Sequence, residues 1–367
     1  MESPPTSLAL KRSRLLPPAN DGASTTRRPR PLLAAAVYDV ADFSRVDVRL
    51  VDVSSGAVAA RLDGLRGGRG AHLGAAGGLV CLVGAAAVRL LDPATGAATD
   101  IATAPGDTTP TAHGHGQRTP PPSHVFGHVP ATGEYKLLRI HAAAAPGQSQ
   151  SCEILTLVGE QPTRWRPAAS PPAPVAVASY RNKAVARGVA HFLPSPPSLF
   201  QHGAAAECDA VASFDLATEA WRPSLLRGPL SSSASGSGGR QVCRGHLSLA
   251  VLSGGLAMVH HDYYAGGCID VWMLADVEKG TTWVRTHSLR LSSVLRGWDG
   301  QMVAAGDRES LAQPLAVMED GRIALWVEVK GLVRVFDPRT GVCTEVADMG
   351  RFSNVVGLCT AAIGNSD

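Results

Sequence analysis

Short runs in which apolar and polar residues alternate recur along the chain, and each is followed by the same turn. The pattern is most complete at 88–98, VRLLDPATGAA, and at 333–343, VRVFDPRTGVC. Further copies are 48–58, VRLVDVSSGAV, 211–221, VASFDLATEAW, and 129–140, VPATGEYKLLRI, in which Val129 replaces the aspartate. Alternation with a period of two is typical of a strand buried on one face. Each copy therefore predicts a β-hairpin, and the recurrence predicts a repeated structural unit.

The turn combines residue types that have separate physical roles. The carboxylates of Asp92 and Asp337 can accept hydrogen bonds from backbone amides two residues further on, and Pro93 presets φ for a type I turn. Gly96 and Gly341 supply the positive φ that closes the loop. We therefore interpret the recurring aspartates as turn formers and not as catalytic acids or bases.

The spacing of the turns indicates the size of the repeated unit. The interval from Asp52 to Asp92 is 40 residues, and those from Asp92 to Asp215 and from Asp215 to Asp337 are 123 and 122 residues. Both long intervals are near three times the short one, so the unit is about 40 residues, the length of a four-stranded propeller blade. Six such units follow, at about 34–62, 71–101, 124–166, 180–226, 245–291 and 312–347.

These units predict an all-β, β-propeller-like fold with six blades. Seven blades are the alternative, because the region 291–311 has room for further strands. We place the propeller at 34–350 and a C-terminal strand or tail at 351–367. Residues 1–33 are rich in Pro, Ser and Arg with almost no apolar periodicity, which predicts a disordered basic arm.

Composition agrees with one large β-domain and excludes several other classes. Apolar residues make up 45% of the chain, and 39 Gly and 26 Pro interrupt it more often than a helical protein of this size tolerates. The net charge of +3 is spread out, so we expect neither nucleic acid nor a membrane as partner. The 7 Cys include no CxxC pair, and no apolar run approaches the roughly 18 residues of a membrane span. We expect a soluble protein of the cytoplasm, the nucleus or both.

The sequence contains no motif for catalysis or cofactor binding. GxSxG, a Walker loop, HExxH and a GxGxxG between strand and helix are all absent. His113 and His115, with His124 nearby, have metal-ligand chemistry, but their Pro- and Gly-rich segment offers no carboxylate at fixed spacing, which favours a solvated loop. We predict no catalytic residue, no metal, no cofactor and a protein that is not an enzyme.

The run from His260 to Tyr264, HHDYY, is the candidate for a partner contact. It falls between two predicted strands, so we expect a hairpin loop at the surface. Adjacent Tyr and His side chains combine an apolar ring with a polar group, as in the dominant contacts of protein interfaces. We predict that His260, His261, Tyr263 and Tyr264 contact a protein partner; the alternative is an ordinary aromatic turn.

In their order along the chain, these segments resemble the associated domain that follows the F-box in plant F-box proteins, a domain grouped with Kelch-like and galactose-oxidase-like propellers. GGLVCL with VRLLDPATG is similar to that family's Gly-Leu-Cys strand and its Asp-Pro-Ala-Thr-Gly turn. FGHVPATGEYKLLRI, RGVAHFL, VASFDLATEAW, IDVWMLAD and RVFDPRTG match the other segments in the same order. The resemblance covers about 34–347.

The resemblance implies substrate recruitment in cullin ubiquitin ligases, with propeller loops selecting a partner protein. The F-box that docks on the ligase adaptor is not found in this sequence, and TSLALKRSRL at 6–15 is similar to the stretch that usually follows it. We therefore expect a protein-interaction module that joins adaptor and cullin only if an F-box is supplied. The alternatives are a glycan-binding or carbohydrate-active propeller, with aromatic and acidic groups at one channel mouth, and a stand-alone scaffold or remnant paralogue.

Overall fold

The structure is a computed structural model that describes residues 30–361 with gaps. The segments outside the described residues within this span are 39–40, 43–44, 67–71, 85–86, 94, 102–121, 144–147, 158–163, 178, 196–208, 233–245, 263–266, 277–281, 296–311, 328–330 and 351–352. The predicted arm lies outside the described residues up to residue 29, as do His113, His115, Tyr263 and Tyr264. The first strand begins at Arg30, earlier than the expected domain start at 34.

The described strands form six sheets of four antiparallel strands, so the predicted all-β fold with six blades is confirmed. In chain order the strands are β1 (Arg30–Tyr38), β2 (Arg45–Asp52), β3 (Val58–Arg66), β4 (His72–Ala76), β5 (Leu79–Val83), β6 (Val88–Asp92), β7 (Ala97–Ile101), β8 (Ser123–His128), β9 (Tyr135–Ile140), β10 (Cys152–Leu157), β11 (Arg166–Ala168), β12 (Lys183–Ala186), β13 (Val189–Phe192), β14 (Ala212–Asp215), β15 (Ala220–Trp221), β16 (His246–Leu252), β17 (Gly255–Asp262), β18 (Cys268–Asp276), β19 (Thr282–Arg290), β20 (Ala312–Val317), β21 (Ile323–Val327), β22 (Leu332–Asp337), β23 (Val342–Asp348) and β24 (Ser353–Ala361). We number the blades 1 to 6 from the sheet that contains β1.

Helical structure is short in the described part of the chain. It comprises a 3-10 helix at Tyr180–Asn182 and two single-turn helices, α1 (Pro229–Ser232) and α2 (Leu291–Val294). Helix α2 occupies the beginning of the region that was the candidate for a seventh blade. Among the described helices, none has the length and apolar character needed to cross a membrane.

Blade 1 combines strands from the beginning and from the end of the described chain. Its strand order is β24, β1, β2, β3, and β24 pairs antiparallel with β1 from Arg30 opposite Ala361 to Val37 opposite Ser353. The segment that we separated from the propeller at 351–367 therefore supplies one of its strands. This pairing closes the ring, because β24 satisfies an edge of β1 that would otherwise present unpaired backbone groups.

The hydrophobic core is divided among the six interfaces between neighbouring blades. Cys81, Phe126 and Leu155, for instance, belong to the buried cluster between blades 2 and 3. Successive residues of β1 serve different interfaces: Leu33 packs toward blade 6, whereas Leu32 packs toward blade 2. Side chains alternate between the faces of a strand, so a strand covered on both sides must be apolar throughout. This explains the unbroken apolar run LLAAAV in β1.

The recurring turn joins the third and fourth strands of a blade. Gly96 and Gly341 have φ of +70° and +69°, and each donates its amide to the carbonyl of the aspartate four residues earlier, at 2.8 Å. The Asp337 carboxylate accepts the amide of Arg339 at 2.9 Å, which confirms the predicted role of Asp337. The copy that begins at Val129 differs in position, because it joins the first and second strands of blade 3.

Antiparallel order gives the propeller two unlike faces. The connections from first to second and from third to fourth strand lie on one face, which we call the turn face. The connections from second to third strand and between blades lie on the other, the loop face. The strands that flank the long intervals 102–122, 193–211, 222–245 and 291–311 end and begin at the loop face. Loops that vary in length on a rigid scaffold are where propellers carry their specificity.

Candidate binding site at the mouth of the ring

Six inner strands surround the axis of the propeller. They are β4, β8, β12, β16, β20 and β24, each at the end of its sheet and next to the inner strands of the neighbouring blades. All six begin at the loop face, so their first residues form one ring, which we call the ring mouth. Those residues are His72, Ser123, Lys183, His246, Ala312 and Ser353. The ring mouth is therefore polar, although the propeller core around it is apolar.

Blades 2, 3 and 4 bring three basic side chains together at the ring mouth. The ring centroids of His72 and His124 are 5.2 Å apart. Lys183 Nζ donates to Ser123 Oγ at 2.6 Å and to the main-chain oxygen of His124 at 2.9 Å. We call His72, His124 and Lys183 the mouth cluster. Its members come from three inner strands that are far apart in sequence.

Burial controls the charge of the mouth cluster. It lowers the pKa of Lys183 to about 8, because the ammonium ion is poorly hydrated. Burial and then the charge of Lys183 lower the pKa of His72 to about 4. Burial, followed by the charges of His72 and Lys183, also holds the pKa of His124 well below its usual value. At neutral pH the cluster therefore contains one ammonium ion and two neutral imidazoles.

His124 also lies next to an aromatic ring and a group of charged side chains. Its ring is 6.0 Å from that of Trp165, and the guanidinium of Arg139 lies 4.1 Å from the same indole ring. Glu153 accepts hydrogen bonds from Arg139 at 2.8 Å and pairs with His141 at 2.7 Å. Burial raises the pKa of Glu153, but its bonds to His141 and Arg139 outweigh burial and leave the pKa below the usual value. This carboxylate is thus already engaged.

The ring mouth differs from what the carbohydrate alternative required. That alternative needs aromatic rings together with available carboxylates, whereas Trp165 lies beside His124 and Arg139, and the neighbouring carboxylate of Glu153 is already bound by Arg139 and His141. In the described part of the chain, no three His, Cys, Asp or Glu side chains are grouped so that they could hold a metal ion. The chemistry available here is recognition by positive charge and hydrogen-bond donors.

The predicted partner contact is only partly described. Strand β17 continues through Asp262, so His260 and His261 belong to the strand and the expected loop begins later. His261 is fully buried, and its Nε2 lies 3.1 Å from the carbonyl oxygen of Ala312; its partner role stays a prediction. Its side chain faces β20 of the neighbouring blade, whereas His260 and Asp262, on either side of it in β17, are only partly buried. His260 is half-buried, and its partner role stays a prediction, like those of Tyr263 and Tyr264.

Sequence reasoning did not single out His72 and Lys183. It noticed His124, but grouped it with His113 and His115, which lie outside the described residues. The position within the repeat could have identified them, because each member of the mouth cluster is the first or second residue of the first strand in its repeat unit. An alignment of the six units on their inner strands would have shown polar residues collecting at one end.

Six four-stranded sheets in a ring closed by the C-terminal strand define a six-bladed β-propeller with a basic site at one mouth. The sequence model of the F-box associated beta propeller domain matches residues 69–298, which covers blades 2 to 5. The chain belongs to this family, and the resemblance in the sequence motifs is confirmed.

Solved structures of similar shape are distant in sequence. A protein of unknown function from Bacteroides caccae has a TM-score of 0.48 and 11% identity, with 91% of this chain and 100% of that chain covered. The nidogen/laminin complex has a TM-score of 0.43 and 9% identity, with 89% and 97% covered. A putative 6-phosphogluconolactonase from Bacteroides fragilis has a TM-score of 0.39 and 10% identity, with 91% and 100% covered. Such likenesses carry no inference about function. No protein of curated function matches the chain.

Proposed function

We propose that this propeller recruits a protein substrate for a cullin ubiquitin ligase, and that it does so through its loop face. The observation that carries the proposal is membership of the F-box associated beta propeller family, a family of protein-interaction domains. In this role the propeller binds and positions a partner and performs no chemistry of its own. We place it in the cytoplasm or the nucleus, where such ligases work.

The two faces of the propeller suit different roles: the turn face suits attachment of an F-box, and the loop face suits binding of the partner. The chain enters β1 at Arg30 on the turn face, because β1 is a second strand and runs toward the loop face. An F-box supplied at the N-terminal side would therefore be attached from the turn face. The loop face, with its long connections, stays available for the partner. Strand β17 ends and β18 begins at this face, and Tyr263 and Tyr264 come between these strands in the sequence.

Affinity purification from cells tests the proposal. The chain is expressed as printed and with a related F-box fused before Met1, and the bound proteins are quantified by mass spectrometry. We expect the same partner from both forms, with adaptor and cullin from the fused form alone. If no protein is enriched by either form, the recruitment proposal is wrong. If a partner is enriched but the fused form binds no adaptor, only the ligase role fails.

A pair of surface variants locates the contact. Tyr263→Ala with Tyr264→Ala removes two aromatic side chains from a loop-face connection, and we expect at least a tenfold loss of the partner, as for an interface hot spot. Arg339→Ala, in an exposed turn of the turn face, is the matched control and should leave recovery unchanged. Loss in the control with retention in the tyrosine variant would assign the partner to the turn face.

A further inference from the structure

No described residue supplies a counter-charge to the mouth cluster. Lys183 donates to two neutral oxygen atoms, and among the described residues it forms no ion pair. A poorly hydrated ammonium ion is normally matched by an anion, because burial of a lone charge is costly. Among the described residues, the carboxylate of Glu153 lies near the cluster, but it is held by Arg139 and His141. The ammonium group of Lys183 is therefore buried at the ring mouth, and no carboxylate of the described residues pairs with it.

The same cluster contains unused hydrogen-bonding atoms. His72 Nε2 and His124 Nδ1 are buried and have no hydrogen-bond partner among the described residues. A hydrogen bond to the backbone of Pro122 engages His72, which leaves its Nε2 available for another group. Buried polar atoms are nearly always paired, so two on neighbouring strands indicate a missing partner. That partner must bond to imidazole nitrogens and also be attractive to an ammonium ion.

We propose that the ring mouth binds one oxyanionic group, a phosphate or a carboxylate, between His72, His124 and Lys183. Its oxygen atoms would accept hydrogen bonds from the ammonium ion and from both imidazoles once these are protonated. A cationic ligand such as a metal ion would be repelled by Lys183. The proposal concerns a ligand and stands whether or not the propeller recruits substrates for a ligase.

Binding of the anion must be linked to proton uptake. Without a ligand the two imidazoles are neutral at pH 7, and a negative group beside them raises their pKa. His124 is also faced by Lys183, Arg139 and His141. Positive charge on these groups disfavours protonation of His124 when no anion is bound. Affinity for an anion whose own charge is constant, such as sulfate, should therefore rise as the pH falls from 8 to 6, because more protons are available and Lys183 becomes fully charged. A site built only on exposed arginines has no such dependence.

Calorimetric titration of the full chain with inorganic phosphate tests the site, with chloride at equal ionic strength as the reference. We expect saturable binding of phosphate, and we expect sulfate, whose charge is constant over this range, to bind at least fivefold more tightly at pH 6 than at pH 8. Lys183→Met keeps the length of the side chain and removes its charge, so we expect binding at least tenfold weaker. Arg339→Met removes one positive charge from the turn face and should change the affinity less than twofold. Equal losses in both variants would mean nonspecific screening and would overturn the proposal.

A second measurement covers the case in which Lys183→Met does not fold. The histidine ring carbons of the unaltered chain are followed by NMR across pH, with and without phosphate. We expect the pKa of His72 and His124 to rise when phosphate is present, and unchanged titration curves would overturn the proposal. Zn²⁺ binding that displaces phosphate would also overturn it, in favour of a metal site.

A phosphoserine peptide, set beside an unphosphorylated peptide of the same sequence, distinguishes the sources of the anion. If phosphate and the phosphopeptide both bind, the site accepts an anionic group carried by another protein. If phosphate alone binds, the site is reserved for free anions. Failure of both contradicts the proposal.

Discussion

Glu219 occupies the turn position that other copies of the repeat fill with glycine. Its φ is +55°, a region that side chains with a Cβ rarely adopt. Its carboxylate accepts hydrogen bonds from Lys136 at 2.9 Å and from both terminal nitrogens of Arg166 at 2.8 Å. Lys136 and Arg166 belong to blade 3 and Glu219 to blade 4. The ion pairs across this interface explain why an unfavourable backbone conformation is retained.

Replacement of Glu219 separates the backbone strain from the ion pairs. Glu219→Ala keeps the strained backbone and leaves the buried Lys136 without its closest carboxylate, so we expect a loss of about 2 kcal/mol in the free energy of unfolding. Glu219→Gly loses the same ion pairs but relieves the strain. It should be more stable than the alanine variant by about 1 kcal/mol. Urea denaturation of the two variants measures the difference.

Gly341→Ala is the matched control for this pair. Its φ is +69°, and a Cβ placed there would meet no atom within 4 Å, so the substitution adds strain without a clash. We expect a loss of about 1 kcal/mol from strain alone. Equal stability of Glu219→Ala and Glu219→Gly would show that the turn tolerates a side chain without cost.

Because several histidines are buried, we expect the free energy of unfolding to fall in mild acid. Burial is the main cause that lowers the pKa of His72, His191 and His261 to about 4. In the unfolded chain these groups take up protons near pH 6.5, whereas in the folded chain they stay neutral until about pH 4. Their contribution to stability is therefore complete above pH 6.5 and is lost as the pH falls toward 4. We expect each to remove about 1 to 2 kcal/mol between pH 7 and pH 5.

The slope of stability against pH is the quantity to measure. Urea denaturation between pH 7 and pH 5, in buffers without phosphate, should show a flatter slope for His191→Gln and for His261→Gln than for the unaltered chain. Gly341→Ala should give a curve parallel to that of the unaltered chain, because it changes stability and no titrating group. Parallel curves for the histidine variants as well would mean that these imidazoles are not the source of acid sensitivity.

At the scale of single elements, hairpins were the most predictable feature. The turns at Asp92, Asp215 and Asp337 lie between a third and a fourth strand, as the alternating pattern and the turn residues indicated. These features depend on neighbours in sequence, since a turn is closed by bonds over two to four residues. The expected loop at His260 was misplaced, because His260, His261 and Asp262 pair with β18 and continue the strand. Residues 263–266 lie outside the described part of the chain.

Strand β24 gives a prediction about the integrity of the ring. A chain that ends at residue 352 lacks the inner strand of blade 1, which leaves one edge of β1 unpaired and opens the interface to blade 2. We expect this variant to unfold or aggregate, because exposed sheet edges pair with other chains. A chain that ends at residue 361 retains every described strand and should behave like the full chain. Size-exclusion chromatography and thermal unfolding of the two chains provide the comparison.

At the scale of the whole molecule, opposite faces carry different structures. The turn face holds the tight, glycine-closed turns and the ion pairs of Glu219, whereas the loop face holds the mouth cluster and the long connections. This asymmetry follows from antiparallel strand order alone and requires no particular sequence. A partner that approaches along the axis therefore meets very different surfaces at the two ends.

The sequence by itself determined the all-β class, the length of the repeat and the family, and it favoured six blades over seven. All four depend on local periodicity and turn residues, which are readable without knowledge of distant contacts. Only the tertiary structure decided that β24 completes blade 1 and that Glu219 bridges two blades. It also decided that His72, His124 and Lys183 meet at one mouth. Those contacts join residues that are tens to hundreds of positions apart. Hydrophobic periodicity predicts where a strand lies in the sequence but does not indicate which distant strand will pack beside it.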